Sequence, residues 1–451
     1  MEEVPKQPKV PPTVDLSIYN GNKRYLLLFL AEIQMLMISG IVFGWEPLQD
    51  AMIQQNVFLD LCSKGETSCK AQSLRLNLVY TIGTFTATGS AFVSGYIFDK
   101  KGPIWTNIIA FVLMVLGCIV WYVAQYINDN LYILSFALIG TGGPACQVSL
   151  LHIANLFPKI QSSISSSFSG MFVGSSFIFK VFSIIAERYH IDIPVIFMYY
   201  IAINILLFVP TFFMMDSKPY LPMEEINRLH AISNDNQSIN NQHEHQNQNH
   251  QNLKEKSAIQ QMLSWQFILL CLFMSFNSLH EIFYIGIVNT LFTDQFYIDF
   301  FNYSWYCGLF MVPIVGYIML KSNIYLNSIY VISAGFLFGI VALIPVTKLQ
   351  PVGFILVSLQ NVYLWAFFFV YLSEVFGYNN YGKLMGLSSI VTALIGLLEY
   401  LLVYLTLNVL TFFWLNLILT LSKIPLYYFS YKLWKTYKNP KDYLPLNQND
   451  N

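Results

Sequence analysis

Gly95-Tyr96-Ile97-Phe98-Asp99-Lys100-Lys101-Gly102 lies between two long apolar runs, and its reading decides the fold. Gly95 lets two helices approach closely at a membrane face. An acid, Asp99, comes four residues later, then two bases, then Gly102, which permits a tight turn. A cytoplasmic hairpin between two membrane helices uses these parts. The bases are held on the inner side, and the acid can meet a neighbouring helix N-terminus.

Composition points the same way. The chain has 451 residues, of which 55% are hydrophobic and only 11% charged. That is about half the charged fraction of a soluble domain, so a large soluble core is the weaker reading. The net charge of -1 suggests no nucleic-acid partner. Residues 1–22 are polar and Pro-rich without an apolar signal-type core, so no cleaved signal and a cytoplasmic start are expected.

Twelve apolar stretches can be marked. The first six run Arg24–Phe43, Leu76–Phe98, Pro103–Ala124, Leu131–Ile153, Ser163–Ala186 and Ile193–Met214. The second six run Trp265–Leu291, Phe301–Leu320, Tyr325–Pro345, Pro351–Leu372, Leu384–Leu405 and Leu410–Leu433. Each is near the roughly 20 residues a helix needs to cross the hydrocarbon. With the N-terminus inside, inner segments hold most of the Lys and Arg, among them Lys100, Lys101, Lys218, Lys321 and Lys383. Outer loops hold Lys64, Lys70, Arg75, Arg188 and Lys348. This asymmetry fits an even number of spans with both termini cytoplasmic.

The expected organisation is a cytoplasmic tail (1–23), a six-helix bundle (24–214), a disordered cytoplasmic linker (215–264), a second six-helix bundle (265–433) and a cytoplasmic tail (434–451). The linker centre, 234–252, is rich in Asn, Gln, Ser and His and cannot bury enough apolar surface to fold. The flank 222–230 could form a short surface helix. His243, His245 and His250 lack the spacing of a metal site, and neither metal nor cofactor is expected. Cys62 and Cys69 lie close together in an outer loop, where a disulfide is plausible. Asn302-Tyr303-Ser304 is an outer glycosylation sequon that abuts a span.

The G-x-x-x-D-K-x-G pattern resembles the signature loop of the major facilitator superfamily, and six plus six spans around a long inner loop fit that architecture. The expected fold is therefore an all-α membrane protein with twelve transmembrane helices in two six-helix halves. Gly316–Lys321 repeats the loop weakly after span eight, with Leu320 in place of the acid. The resemblance implies that span two lies beside span eleven, which begins near Lys383. Gly95, Asp99, Lys100, Gly102 and Lys383 then form an inner gate with Asp99 as its principal latch. A topogenic hairpin without a gating role is the alternative.

Ser39-Gly40-Ile41-Val42-Phe43-Gly44-Trp45 at the end of span one, Arg75-Leu76-Asn77-Leu78, Gly140-Thr141-Gly142-Gly143 and Asn155-Leu156-Phe157 occur in an order that resembles solute carrier family 43. That family comprises sodium-independent facilitators of large neutral amino acids and relatives, including a nucleobase carrier. The superfamily resemblance implies that spans one, four, seven and ten line the pathway. Their polar mid-span residues are Gln34, Ser39, Thr141, Gln147, Asn277, His280, Tyr284, Asn361 and Trp365, and Gly142-Gly143-Pro144 should loosen span four. For each one, interhelical hydrogen bonding is the competing role.

Neutral hydrogen-bonders beside aromatics suit a zwitterion or a neutral solute better than a phosphate. Glu32 and Glu281 are candidate proton sites, with His280 beside the latter; structural burial is the alternative. Lys180 and Lys423 are expected within snorkelling reach of an interface. The expected function is facilitated transport of neutral amino acids by alternating access. A nucleobase or other small neutral solute carrier, with or without proton coupling, and a transport-dead nutrient sensor remain alternatives. An enzyme is not expected, because no nucleophile elbow or metal motif is present. A monomer in the plasma membrane, partnered by lipid and a small solute, completes the expectation.

Overall fold

The computed structural model describes residues 21–221, 226, 253–377, 380–409 and 411–437. The expectations for the N-terminal tail up to residue 20, the linker centre 234–252 with its histidines, nearly all of the 222–230 flank, and the tail beyond 437 lie outside these residues.

The described chain is helical almost throughout. Nine helices among the described residues have the length and apolarity to cross a membrane. The other three expected spans are helical but fall short for local reasons. Span two (Lys70–Lys101) carries Asn77, Thr81, Thr84 and Ser90 along its interior. Span eight is divided at Cys307 into Gln295–Tyr306 and Gly308–Lys321. Span one is also broken: Lys23–Ile38 gives way to a tight turn over Ile41–Phe43 and resumes as Trp45–Gln54. The Ser39–Trp45 stretch is thus a break inside span one and does not end it, which corrects the sequence reading. Outward faces are apolar: Leu206 and Phe213 of span six are 72% and 77% exposed, which suits lipid and not water.

The break in span one has a packing cause. A Cβ on Gly44 would lie 1.9 Å from the Ser176 carbonyl oxygen, and one on Gly40 would lie 2.4 Å from that of Phe172. Spans one and five therefore touch backbone to backbone. The freed Gly40 N–H donates to Ser175 Oγ at 2.7 Å, at the point where span five (Gln161–Gly174 and Phe177–Tyr189) has its own break.

Span four corrects a second expectation. Its helix, Leu131–Leu150, runs unbroken through Pro144. Gly142 and Gly143 do not loosen it; they let neighbours in. A Cβ at Gly143 would come 2.3 Å from the Ser39 oxygen of span one, and a Cβ at Gly142 would come 3.0 Å from the Ala110 oxygen of span three.

Spans one to six pack among themselves, as do spans seven to twelve. The two groups meet through span two on eleven, five on eight, five on ten and one on seven. The end of the chain's linker is ordered, against the expectation of disorder over 215–264. Ser257 and Gln260 form a capping box that starts the helix Ala258–Met262, and the Gln261 amide donates to the carbonyls of Leu253 and Phe376. Ser264 then caps span seven (Trp265–Leu291) by accepting from the Phe267 N–H. Cys62 and Cys69 are joined by a disulfide. Asn302 of the sequon is 2% exposed inside a helix, so its amide is closed to modification in this conformation.

Candidate functional site

Where the halves meet, a cavity opens between span two (Thr84, Phe85, Thr88), span seven (Ser278, Glu281, Ile282, Ile285), span ten (Asn361, Trp365) and span eleven (Thr392, Ala393, Gly396). Phe43 closes it from the break in span one. A smaller neighbour shares Phe43, Asn361 and Trp365 and adds Phe172, Val173 and Trp305. The larger cavity has about 20 Å³ of free space, room for a water and not for an organic solute. Contacts between the halves shut both ends of the bundle around it.

Glu281 is its one acid and is 2% exposed. Asn361 Nδ2 donates to Glu281 Oε2 at 3.0 Å, while Oε1 is buried with no hydrogen-bond partner. Ser278 Oγ, one turn away, is likewise buried and unpartnered. Thr84 turns its hydroxyl onto its own helix, towards the carbonyls of Tyr80 and Thr81. The site therefore offers an acceptor, a hydroxyl, an amide and an indole.

Of the cavity residues expected from sequence, Asn361 and Trp365 line it, and so does the proton-site candidate Glu281. The others face elsewhere, and the reason is helical phase. Ser278, Glu281, Ile282 and Ile285 form one stripe of span seven; Asn277, His280 and Tyr284 form the next. That second stripe points into the second half. Asn277 Oδ1 accepts from Gln360 Nε2 at 3.1 Å, His280 Nε2 pairs with Asn416 Oδ1 at 2.7 Å, and Tyr284 packs among Phe301, Phe338, Phe354 and Phe412.

In the first half, Gln34 Nε2 donates to Asn107 Oδ1 of span three at 2.9 Å. Ser39 and Thr141 bond back to the carbonyls of Met35 and Ala137. Gln147, Gly142 and Gly143 are not among the lining residues, and span four contributes none; spans two, five, eight and eleven do. Glu32 accepts from Ser167 of span five at 2.7 Å, away from the cavity. Lys423 corrects the snorkelling expectation outright: it is fully buried, with Nζ 3.3 Å from both Asn277 Oδ1 and Gln360 Oε1.

At one end of the bundle, Gly95 faces the Gly382 carbonyl, and the Asp99 carboxylate sits over Gly382 in the first turn of Tyr381–Gly396. A Cβ on Gly382 would be 3.6 Å from Asp99 Oδ2. Partial desolvation pushes the Asp99 carboxyl above its ordinary value, and nearby Lys383 opposes the rise. Gly102 ends the helix at φ +87°, where a Cβ would strike the Ser217 oxygen at 2.3 Å, and Pro103 opens span three. Lys100 lies over the Tyr96 ring, 4.4 Å from its centroid, and not on the partner helix.

At the disulfide end, the halves are joined more extensively. Lys180 and Asp299 form an ion pair at 3.0 Å between spans five and eight, and Asn289 donates to Asp50 Oδ1 at 3.1 Å between spans seven and one. Glu399 of span eleven, fully buried, accepts from Asn77 Nδ2 at 3.0 Å and Thr81 Oγ1 at 2.5 Å, both on span two. In the sequence Glu399 is an acid within the apolar run of span eleven, with nothing beside it to name a partner. The signal that could have found its partners was Asn77 and Thr81, one turn apart on the helix that the gate motif already set beside span eleven.

The Major Facilitator Superfamily model matches residues 67–398. Among curated proteins, the Bos taurus Equilibrative nucleobase transporter 1 is 27% identical over 174 residues, a stretch covering 37% of this chain and 36% of that protein. The Mus musculus Large neutral amino acids transporter small subunit 3 is 22% identical over 180 residues, covering 37% of this chain and 32% of that protein. The chain thus spans about a third of the length of these relatives. Among solved structures, the proton:xylose symporter XylE bound to 6-bromo-6-deoxy-D-glucose superposes with a TM-score of 0.68, covering 92% of this chain and 96% of that one. At 12% identity this similarity shows the fold.

Proposed function

The chain belongs to the Major Facilitator Superfamily, a multi-pass membrane transporter and not an enzyme, and from that premise we propose that it carries a neutral amino acid by facilitated alternating access. One observation carries the choice of cargo: the buried, unpartnered Oε1 of Glu281 beside the cavity. A buried acceptor without a donor costs on the order of 1–3 kcal/mol, and an α-ammonium group would satisfy it. Phe43, Ile282, Ile285 and Trp365 would take an apolar or aromatic side chain. Ser278 and Asn361 remain to meet the carboxylate.

The transport cycle in this reading uses the two closed ends in turn. The Asp99–Gly382 contact would open to the cytoplasm, and the Glu399, Lys180 and Asn289 contacts would open outward, with the bundles 24–214 and 265–433 rocking about the cavity. The cytoplasmic placement of both termini, the plasma membrane as host and function as a monomer belong to the same proposal.

A nucleobase is the second reading. The lining residues include no Lys or Arg for a carboxylate, whereas a side-chain amide beside an indole suits a flat ring with N–H donors. Counterflow in proteoliposomes with labelled leucine, phenylalanine, lysine, glutamate and adenine, with and without a pH gradient, tests both. Leucine or phenylalanine exchange supports the first reading and adenine exchange the second. Accumulation driven by pH would overturn uniport, and binding without exchange would make the protein a sensor.

A further inference from the structure

Lys423 is the buried group that the transport reading leaves unused. It sits where span twelve breaks, between the helix Phe412–Leu421 and the turn Ile424–Leu426, and is fully buried. Its ammonium is held by two amide oxygens, those of Asn277 and Gln360. Neither carries charge, so the cation still needs a counter-ion; an isolated buried charge is costly.

Two parallel steps lead from this cation to the cavity. Asn277 and Glu281 are one turn apart on span seven, and Gln360 and Asn361 are adjacent on span ten. Gln360 donates to Asn277, and Asn361 donates to Glu281. The Lys423 ammonium thus stands behind the same two helices whose cavity side presents the Glu281 carboxylate. His280, the other ionisable group near Lys423, is turned to Asn416 and Phe338. The cavity lining itself holds one acid and no base.

We propose that Lys423 is a specificity-determining residue: it balances the charge of Glu281 from behind the site, so that the occupied cavity accepts a cargo of zero net charge and rejects a cationic one. A zwitterion or a neutral base leaves the Lys423–Glu281 balance intact. A cationic solute would leave one positive charge unmatched in a low-dielectric space close to the Lys423 ammonium, where like charges repel strongly. The inference rests on the proposed transport reading, in which Glu281 faces the cargo, and it holds for either neutral cargo.

The test is counterflow by wild type, Lys423→Gln and the double variant Glu281→Gln/Lys423→Gln, with leucine, adenine, arginine and glutamate. Wild type should exchange leucine or adenine and not arginine. Lys423→Gln should raise arginine exchange relative to the neutral cargo by on the order of tenfold or more, and the double variant should lose that gain. Failure of wild type to move any of the four would fault the transport reading itself. Normal neutral exchange by Lys423→Gln without a gain for arginine would overturn the role of Lys423 alone. If Lys423→Gln does not reach the membrane, the double variant, again balanced in charge, should recover its level. A double variant as depleted as the single one would overturn the pairing.

Discussion

Glu399 of span eleven accepts hydrogen bonds from Asn77, at 3.0 Å, and Thr81 of span two, about five turns of helix from the point where Gly95 and Asp99 of span two meet Gly382. One helix pair thus carries a contact at each end of the cavity, an acid from span eleven at the disulfide end and an acid from span two at the other. Rocking one half on the other would break one contact while keeping its opposite, which is the geometry alternating access requires.

Removing the first contact should favour opening at the disulfide end. A hydrogen bond contributes about 0.5–1.5 kcal/mol and Glu399 accepts two, so Glu399→Ala should shift the open fraction by roughly five- to a hundredfold. The measure is the labelling rate of an Ile285→Cys reporter, a position only 2% exposed in the closed form. Asn77→Ala should act in the same direction, more weakly. Combined with Glu399→Ala it should add little, because the two share one interaction. Additive effects would show that they act separately.

Asp99 predicts a pH dependence at the opposite end. Its carboxyl is raised by desolvation in the closed contact, with Lys383 opposing. Opening returns the carboxyl towards its ordinary, lower value. Closing therefore takes up protons, and closure strengthens as pH falls through the raised value towards the ordinary one and weakens as pH rises. Labelling of a Ser94→Cys reporter, with the free cysteines replaced, should slow over that fall in pH. The slope should vanish in Asp99→Asn. A slope that persists in that variant would assign it to another group.

The break between spans one and five should tolerate no added carbon. Gly44→Ala places a Cβ 1.9 Å from the Ser176 oxygen, and overpacking of this kind costs typically 1–3 kcal/mol. Gly89→Ala, whose Cβ would meet Ala393 Cβ at an ordinary 3.5 Å, is the control. Thermal unfolding in detergent should show a clear loss for the first and little change for the second.

Facing the cavity or facing the second half separates Trp365 of span ten from His280 of span seven. Trp365→Ala should weaken cargo affinity severalfold or more, because the indole lines both cavities. His280→Gln should lower stability and leave the apparent KM for cargo near wild type, because His280 bonds to Asn416 inside the second half. Counterflow at varied solute concentration, alongside the melting curve, distinguishes the two.

The sequence by itself determined the all-helical membrane architecture, because apolar runs of spanning length leave the backbone no other way to satisfy its hydrogen bonds in lipid. It also located the Gly95–Gly102 hairpin and the neighbourhood of Cys62 and Cys69, both of which are local in the chain. Asn361, Trp365 and Glu281 were legible as polar or aromatic residues in apolar spans. The face each one presents was not. Composition marks Asn277, His280 and Tyr284 as readily as Ser278 and Glu281, and a shift of one residue turns a side chain by about 100° around the helix. Only the packed structure decided which stripe of span seven meets the cavity, that Gly142 and Gly143 admit neighbouring backbones, and that Glu399 reaches across to Asn77 while Lys423 is buried against Asn277 and Gln360. These pairings join residues from tens to hundreds of positions apart, and their partners are chosen by how whole helices pack.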